Sequence, residues 1–578
     1  MSTYLIKPVG RRDRETDALI ALLGRHGFGR VRRWPLGHDR ELLLIDDPRT
    51  SVIQHVEAPD GSWAVAVGPF LHAGAGGEGA LRSYLDRFDG RAGVWTDTQG
   101  HFTLILHRAG ATHVLCDGLG AHKVYGDAAD SVLSNSFLAA LTLADRPRID
   151  AFGAYVYAWT GACPPGATFV EQVRVQPANT VLRLERAVRA QAHAAPTLAL
   201  GSRPSDRDLP ALAAANLDVL QAQADAVARF AAGRVRLSFS GGFDSRLLLA
   251  LLRRAGVTPE LFVYGPEGDI DVQVAQTVAR ATGLTCRRID KTARRAPGPE
   301  EMPEVLERAL VMFDGWRNDG LFDTGADADD RAARHDGGFV PVNGGLGEIY
   351  RNFFNLRGAR VSVDDVVSAF YYSFDPAWAG ARFRVHDYHA RMTRDLAAQL
   401  GAAGGRIPTA QAHMLYPLYR GRFWTAREAE INQRFGPMLF PYLEHAAIAQ
   451  SAVTPAGGRL HGRLQAEMIR QADADLASLP SAYGFSFAEG PDARNKLANL
   501  VSLARPMWLR RRSARLKAGG ARPDIGVGTA AIAATTDADC PVMSALFQVD
   551  RITDADTYNR VLTMEYLAGR FAIAAPAA

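Results

Sequence analysis

Between residues 235 and 252 the chain reads V-R-L-S-F-S-G-G-F-D-S-R-L-L-L-A-L-L, an order that few folds accommodate. Val235, Leu237 and Phe239 alternate with Arg236 and Ser238, the period of a strand. Ser240-Gly241-Gly242-Phe243-Asp244-Ser245 then forms a glycine turn, and the apolar run 247–252 opens a helix. Paired glycines let the backbone approach a ligand closely, and the unpaired N–H groups of a first helical turn favour an anion. The expected ligand is a phosphate. The lysine-bearing loop G-x-x-x-x-G-K-[ST] is not written here; Asp244 takes its place. A carboxylate beside a polyphosphate is explained by magnesium, which takes one or two carboxylates together with phosphate oxygens.

The residues that follow extend this unit. Segment 260–265, E-L-F-V-Y-G, reads as a second buried strand, Asp269-Ile270-Asp271 caps a helix over 272–282, and 285–289 gives a third strand. Strands alternating with helices predict a doubly wound parallel sheet, whose ligands bind at the carboxyl ends of the strands. Residues 239–245 and Val263, Tyr264 and Gly265 therefore fall on one rim. At 339–342 another strand runs into N-G-G-L-G-E-I-Y, a second glycine turn carrying Glu348.

Upstream, short alternating strands at 62–67, 93–97, 102–107, 113–116 and 132–134 argue for an all-β or layered β domain with few helices. A Pro/Ser/Gly-rich linker over 195–207 leads into an amphipathic helix at 208–232. Segment 313–323 reads as a polar, aromatic loop too charged for the core and a candidate wall of an acceptor site. From 361 the chain turns helical, and a last helix over 557–571 has no functional reading.

A chain of 578 residues is too long for one core. Its net charge of +4 is small, and the dense run Arg510-Arg511-Arg512 through Arg515 to Lys517 reads as a solvated helix face, so no nucleic-acid partner is expected. Cys116, Cys163, Cys286 and Cys540 are too scattered for a zinc site or disulfide framework and suit a reducing compartment. With no apolar run long enough for a signal peptide or a membrane span, a cytoplasmic protein with no membrane partner is expected.

The S-G-G-x-D-S signature resembles the pyrophosphate loop of the ATP pyrophosphatase superfamily. D-G-L-G-A-H-K-V-Y at 117–125, L-S-N-S-F-L-A-A-L at 133–141 and the glycine-proline stretch of 161–182 resemble the amidotransferase-like domain of asparagine synthetases. Segment 435–444 and P-S-A-Y-G-F-S-F at 480–487 resemble that family's later synthetase motifs. The resemblance implies an α/β chain: an N-terminal layered, β-rich amidotransferase-like domain of the N-terminal nucleophile type (1–194), a linker (195–207), a doubly wound parallel-sheet ATP pyrophosphatase domain with added helices (208–515) and an extension (516–578). It implies ATP and Mg2+ as cofactors. Ser240, Gly241, Gly242, Phe243, Asp244, Ser245, Val263, Tyr264, Gly265, Asn343 and Gly344 would hold the nucleotide, and Asp244 and Glu348 the metal.

Three positions depart from the family. Residue 2 is Ser2 where glutamine-hydrolysing members carry the cysteine nucleophile, so glutaminase activity is not expected. The chain is in this respect similar to β-lactam synthetases, carbapenam synthetases and lasso peptide cyclases. Gly345 fills the slot of an acceptor-side glutamate or tyrosine, with Tyr350, Arg351 and Asn352 as neighbouring substitutes. The catalytic lysine before the 480–487 motif has no counterpart; Lys496 is the nearest, and Arg459, Arg463 or Arg494 could supply the charge instead. The candidate catalytic set is thus Asp244, Glu348 and Lys496. The implied reaction is adenylation of a small-molecule or peptide carboxylate, loss of pyrophosphate and amide formation with an amine, and a homodimer is allowed for. A glutamine- or ammonia-dependent asparagine synthase, a lasso-peptide or β-lactam-type cyclase and an idle nucleotide-binding scaffold are the competing readings.

Overall fold

A computed structural model of the chain describes residues 2–37, 39–90, 93–129, 131–185, 188–193, 206–372, 374–402, 404–504, 523–537 and 539–577. The expected linker, except for its last two residues, the basic run at 510–517 and the expected boundary at 515 lie outside the described residues.

The N-terminal part is built on strand Thr3–Pro8, in which Tyr4, Leu5 and Ile6 are all fully buried. Alternation explains how: Tyr4 and Ile6 face one way with Leu42 and Leu44, while Leu5 faces the other with Leu43 and Ile45. Thr3–Pro8 pairs antiparallel with Arg40–Asp46 and Leu133–Ser134 inside a six-stranded sheet. A second six-stranded sheet contains Ile53–Glu57, Trp63–Val67, Thr103–Arg108, Ala111–Cys116, Thr180–Leu184 and Val188–Ala192. Tyr4, Ile6, Leu42 and Leu44 pack face to face with Val65, Val67, Ile105 and Val114 between the sheets. Outside them, Leu19 and Leu22 of helix Asp13–Arg25 cover the first sheet, and Leu81 and Leu85 of helix Gly77–Arg87 cover the second. The layers run helix, sheet, sheet, helix.

This corrects the expectation of few helices. It also supplies strands in the first fifty residues that the alternation pattern, judged from 51 onward, did not reach. Residues 93–97, expected as a strand, form turns.

The second part contains a four-stranded parallel sheet in the order Cys286–Ile289, Glu260–Tyr264, Val235–Ser238, Val340–Val342. The first three strands run outward from the middle in chain order, and the fourth returns to the other side of Val235–Ser238. The order reverses there, which is where open parallel sheets leave a crevice at their carboxyl ends. Helices Phe243–Arg254 and Ile270–Thr282 connect the strands, the latter capped by Asp269 as its sequence suggests.

Segment 313–323 is where the fold departs furthest from expectation. Phe313, Asp314, Trp316, Asn318, Leu321 and Phe322 are at most 1% exposed, so most of the segment is a buried seam between the two parts, while Arg317, Asn318, Asp319 and Asp323 line a cavity at its edge. Its charge is tolerated because it is matched. Asp314 accepts from the N–H groups of Phe137 (2.8 Å) and Leu138 (3.3 Å), from Ser136 Oγ, and from the guanidinium groups of Arg427 and Arg434. Lys123 pairs with Glu430 at 3.2 Å beside it. The last helix, Ala555–Phe571, clamps the seam: Asn559 Nδ2 donates to Phe322 O (2.8 Å) and Arg560 Nη1 to Ala158 O (3.0 Å).

His101 ties the second sheet to the other part by accepting from Phe440 N–H through Nε2 at 3.1 Å. Burial pushes its pKa down to about 4. An unfolded histidine takes up its proton near pH 6.5, so this site loses stability as pH falls from there toward 4. Wild type should therefore lose roughly 2–3 kcal/mol more than His101→Gln between pH 7 and 4.5 in urea unfolding. Equal losses would show that His101 is not held neutral.

Candidate functional site

Strand Val235–Ser238 ends in the 240–245 turn because Gly242 begins helix Phe243–Arg254 in an extended conformation and has no side chain to cap it. The N–H groups of that first turn are left for a ligand. A Cβ on Gly241 would meet Ala482 Cβ at 2.8 Å and Val274 Cγ1 at 3.0 Å. Only glycine fits that approach. Gly241 N–H donates to Asp271 (2.9 Å), its carbonyl accepts from Ala482 N–H (3.0 Å), and Ser245 Oγ donates to Ser240 O (2.8 Å). The turn is thus held from the second helix and from the 480–487 segment, whose Phe487 stacks on Phe243 at 4.2 Å.

The second glycine turn follows strand Val340–Val342, the neighbour across the order reversal. Asn343 closes it by accepting from Gly345 N–H at 2.7 Å. Leu346 holds φ +77, a left-handed conformation that costs a non-glycine residue on the order of 1 kcal/mol. Gly344 and Gly347 lie directly against Asp244: a Cβ at Gly344 would sit 3.3 Å from Asp244 Cβ, and one at Gly347 would fall within 2.7 Å of it and nearer still to the carboxylate. Gly347→Ala should cost about 1–3 kcal/mol by urea unfolding. A neutral result would mean that Asp244 is free to move aside.

Asp244 and Glu348 converge on one cation. Arg351 Nη2 lies 2.7 Å from Asp244 Oδ2 and 3.3 Å from Glu348 Oε1. The remaining oxygens have neutral donors: Gln465 Nε2 donates to Asp244 Oδ1 (2.7 Å) and the Tyr416 hydroxyl to Glu348 Oε2 (2.9 Å). The Tyr442 hydroxyl donates to Asp244 O at 3.0 Å. Burial pushes the Asp244 carboxyl up to about 7, Arg351 working against the rise and Glu348 adding to it. Burial opposes the charge on Arg351, but Asp244, Tyr483 and Glu348 together more than offset it and raise its pKa.

A cavity of about 270 Å³ opens beside this cluster, lined by Phe243, Glu348, Arg351, Arg459, His461, Tyr483 and neighbours.

The expected residues fall into three groups. Ser240 to Ser245, Asn343, Gly344, Asp244 and Glu348 come together as the two turns. Val263, Tyr264 and Gly265 are one strand over: Val263 is buried, the Tyr264 hydroxyl donates to Asp330 (2.7 Å) with its ring 4.5 Å below Lys291 Nζ, and Gly265 takes φ +136. Lys496 is exposed on helix Ala493–Ala504, near enough to His461 to depress its pKa secondarily to burial. Its neighbours His461 and Asn495 line the cavity, while the cation at the carboxylates is Arg351. Arg459 is buried and donates to Ile349 O and Ser451 O, while Arg463 and Arg494 are exposed. Tyr350, in the second turn, is fully buried.

Tyr442 falls within segment 435–444, whereas Gln465 and Tyr416 belong to no motif quoted above. Tyr416 opens a π-helix, Tyr416–Thr425, a rare winding. The same helix sends Arg422 to Gly120 O and Gln176 O in the N-terminal part, and so spans from the D-G-L-G turn to Glu348. No protein-family model matches the chain, and no curated protein matches it. No described helix is long and apolar enough to cross a membrane.

Proposed function

We propose that the chain is an ATP-dependent carbon–nitrogen ligase of the asparagine-synthetase-like kind, which adenylates a substrate carboxylate, releases pyrophosphate and passes the acyl group to an amine. The observation that carries this reading is the convergence of two glycine turns, on adjacent parallel strands at the order reversal, upon Asp244 and Glu348. The two sheets packed face to face in the N-terminal part agree with the layered, β-rich domain that the resemblance implies, and they support the same reading.

In this reading the N–H groups at 243–245 hold the leaving pyrophosphate. Gln465 and Tyr416 keep the two carboxylates aimed at a common point, and positioning of this kind is most of what phosphoryl-group chemistry asks of a protein. Asp244 and Glu348 would hold magnesium, which when bound neutralises charge on the phosphates. Their number and hard oxygen chemistry fit that ion, and the cation already between them marks the same point of negative potential. Ser2 is 1% exposed and its hydroxyl accepts from Val52 N–H at 3.1 Å, which supports an amine that is not freed from glutamine at Ser2.

The test is exchange of labelled pyrophosphate into ATP across a panel of carboxylates. At least one should support exchange, and supplying its amine should then release AMP and pyrophosphate. Release of ADP and phosphate instead would overturn the reading.

A further inference from the structure

The geometry points to Arg351 as a resident counter-ion that occupies the divalent-cation position between Asp244 and Glu348, so that a metal ion enters only together with a polyphosphate onto which the guanidinium transfers. This deepens the ligase reading and rests on it for the identity of the polyphosphate.

One edge of the guanidinium stands between the two carboxylates, at 2.7 Å from Asp244 and 3.3 Å from Glu348. A metal ion cannot share that point with a guanidinium, because two cations a few ångströms apart repel strongly where water is scarce. Yet the carboxylates do not depend on Arg351 for their placement. Gln465 holds Asp244 and Tyr416 holds Glu348, both through neutral donors. Withdrawing the guanidinium leaves the pair aimed at a vacated cation position.

Arg351 is lightly held on its other side. Nη1 donates to the hydroxyl of Tyr483 at 2.9 Å, and Tyr483 is 39% exposed. Buried Nε has no partner among the described residues, and the guanidinium carbon lies 5.7 Å from the Phe243 ring centre. Arg351 also lines the cavity beside the turn. A polyphosphate arriving there offers the planar, two-pronged acceptor that a guanidinium prefers over separate carboxylates. The exchange leaves no charge unpaired: the metal takes the carboxylates and Arg351 takes phosphate oxygens.

The experiment uses the full-length protein and Mn2+, whose free concentration is read by electron paramagnetic resonance. Without nucleotide, wild type should bind Mn2+ at least about tenfold more weakly than Arg351→Gln, and adding Asp244→Asn to that variant should erase the gain. With ATP present the order reverses: wild type binds Mn2+ tightly, and Arg351→Gln does so about tenfold less tightly. Arg351→Lys, which keeps the charge but offers a single compact donor, should fall between them. Tight Mn2+ binding to wild type in the absence of nucleotide would overturn the inference, a result that needs no variant to fold. An Arg351→Gln protein that melts like wild type and shows no gain would overturn it equally. Pyrophosphate exchange that succeeds alongside either result would leave the ligase reading standing without this device. A gain in Mn2+ binding with no exchange on any carboxylate would leave the device standing without the ligase.

Discussion

Asp244→Asn should lower ATP–pyrophosphate exchange by at least about a thousandfold while leaving the protein folded. Asparagine has the shape of the aspartate, so Gly344 and Gly347 still pack against it. What it lacks is the charge. Its single carbonyl oxygen can accept from Arg351 or from Gln465 but not from both, whereas the carboxylate accepts from each. Thermal melting separates loss of chemistry from loss of fold: Glu348 still faces Arg351 and the amide still fills the space beside Gly347, so the variant should keep a cooperative transition. A loss of less than tenfold in exchange would remove Asp244 from the chemistry.

Asp314→Ala should destabilise the chain by roughly 3–5 kcal/mol, the cost of stranding buried charges. Asp314 is 1% exposed and sits against Arg427 and Arg434, both buried, so its removal takes the carboxylate from Arg434 and leaves Arg427 with Glu430 alone. It also frees the N–H groups of Phe137 and Leu138 at the start of helix Phe137–Thr142. Asp314→Asn keeps an acceptor and should cost less. Urea unfolding at pH 7 separates the outcomes, and a loss below about 1 kcal/mol for the alanine variant would show that water or neighbouring acids repair the seam.

These two residues also mark what a sequence reveals. Asp244 is legible because strand period, paired glycines and a helix start are local signals, each written within a few residues of it. The parallel strands at 235–238, 260–264 and 340–342 and the cap at Asp269 are readable for the same reason. Asp314 is not, because charge density within 313–323 resembles a surface loop, and nothing local announces Arg427 and Arg434, more than a hundred residues downstream. The strands of the first fifty residues escape because both faces of Thr3–Pro8 and Arg40–Asp46 are covered, which erases the alternation that marks a half-buried strand. Gln465 and Tyr416 reach the carboxylates only through tertiary packing. Arg351 lies three residues beyond Glu348, at the end of the turn that carries the acid itself, yet no motif marks it as the partner of both acids.

The account rests on phosphates lying against the two glycine turns, and a crystal structure with a non-hydrolysable ATP analogue and a divalent ion tests that most directly. The β- and γ-phosphates should contact the N–H groups at 243–245, with Asn343 and Gly344 beside the nucleotide and Arg351 moved from the carboxylates onto phosphate oxygens. Phosphates bound away from the 240–245 turn, with Arg351 still seated between Asp244 and Glu348, would contradict it.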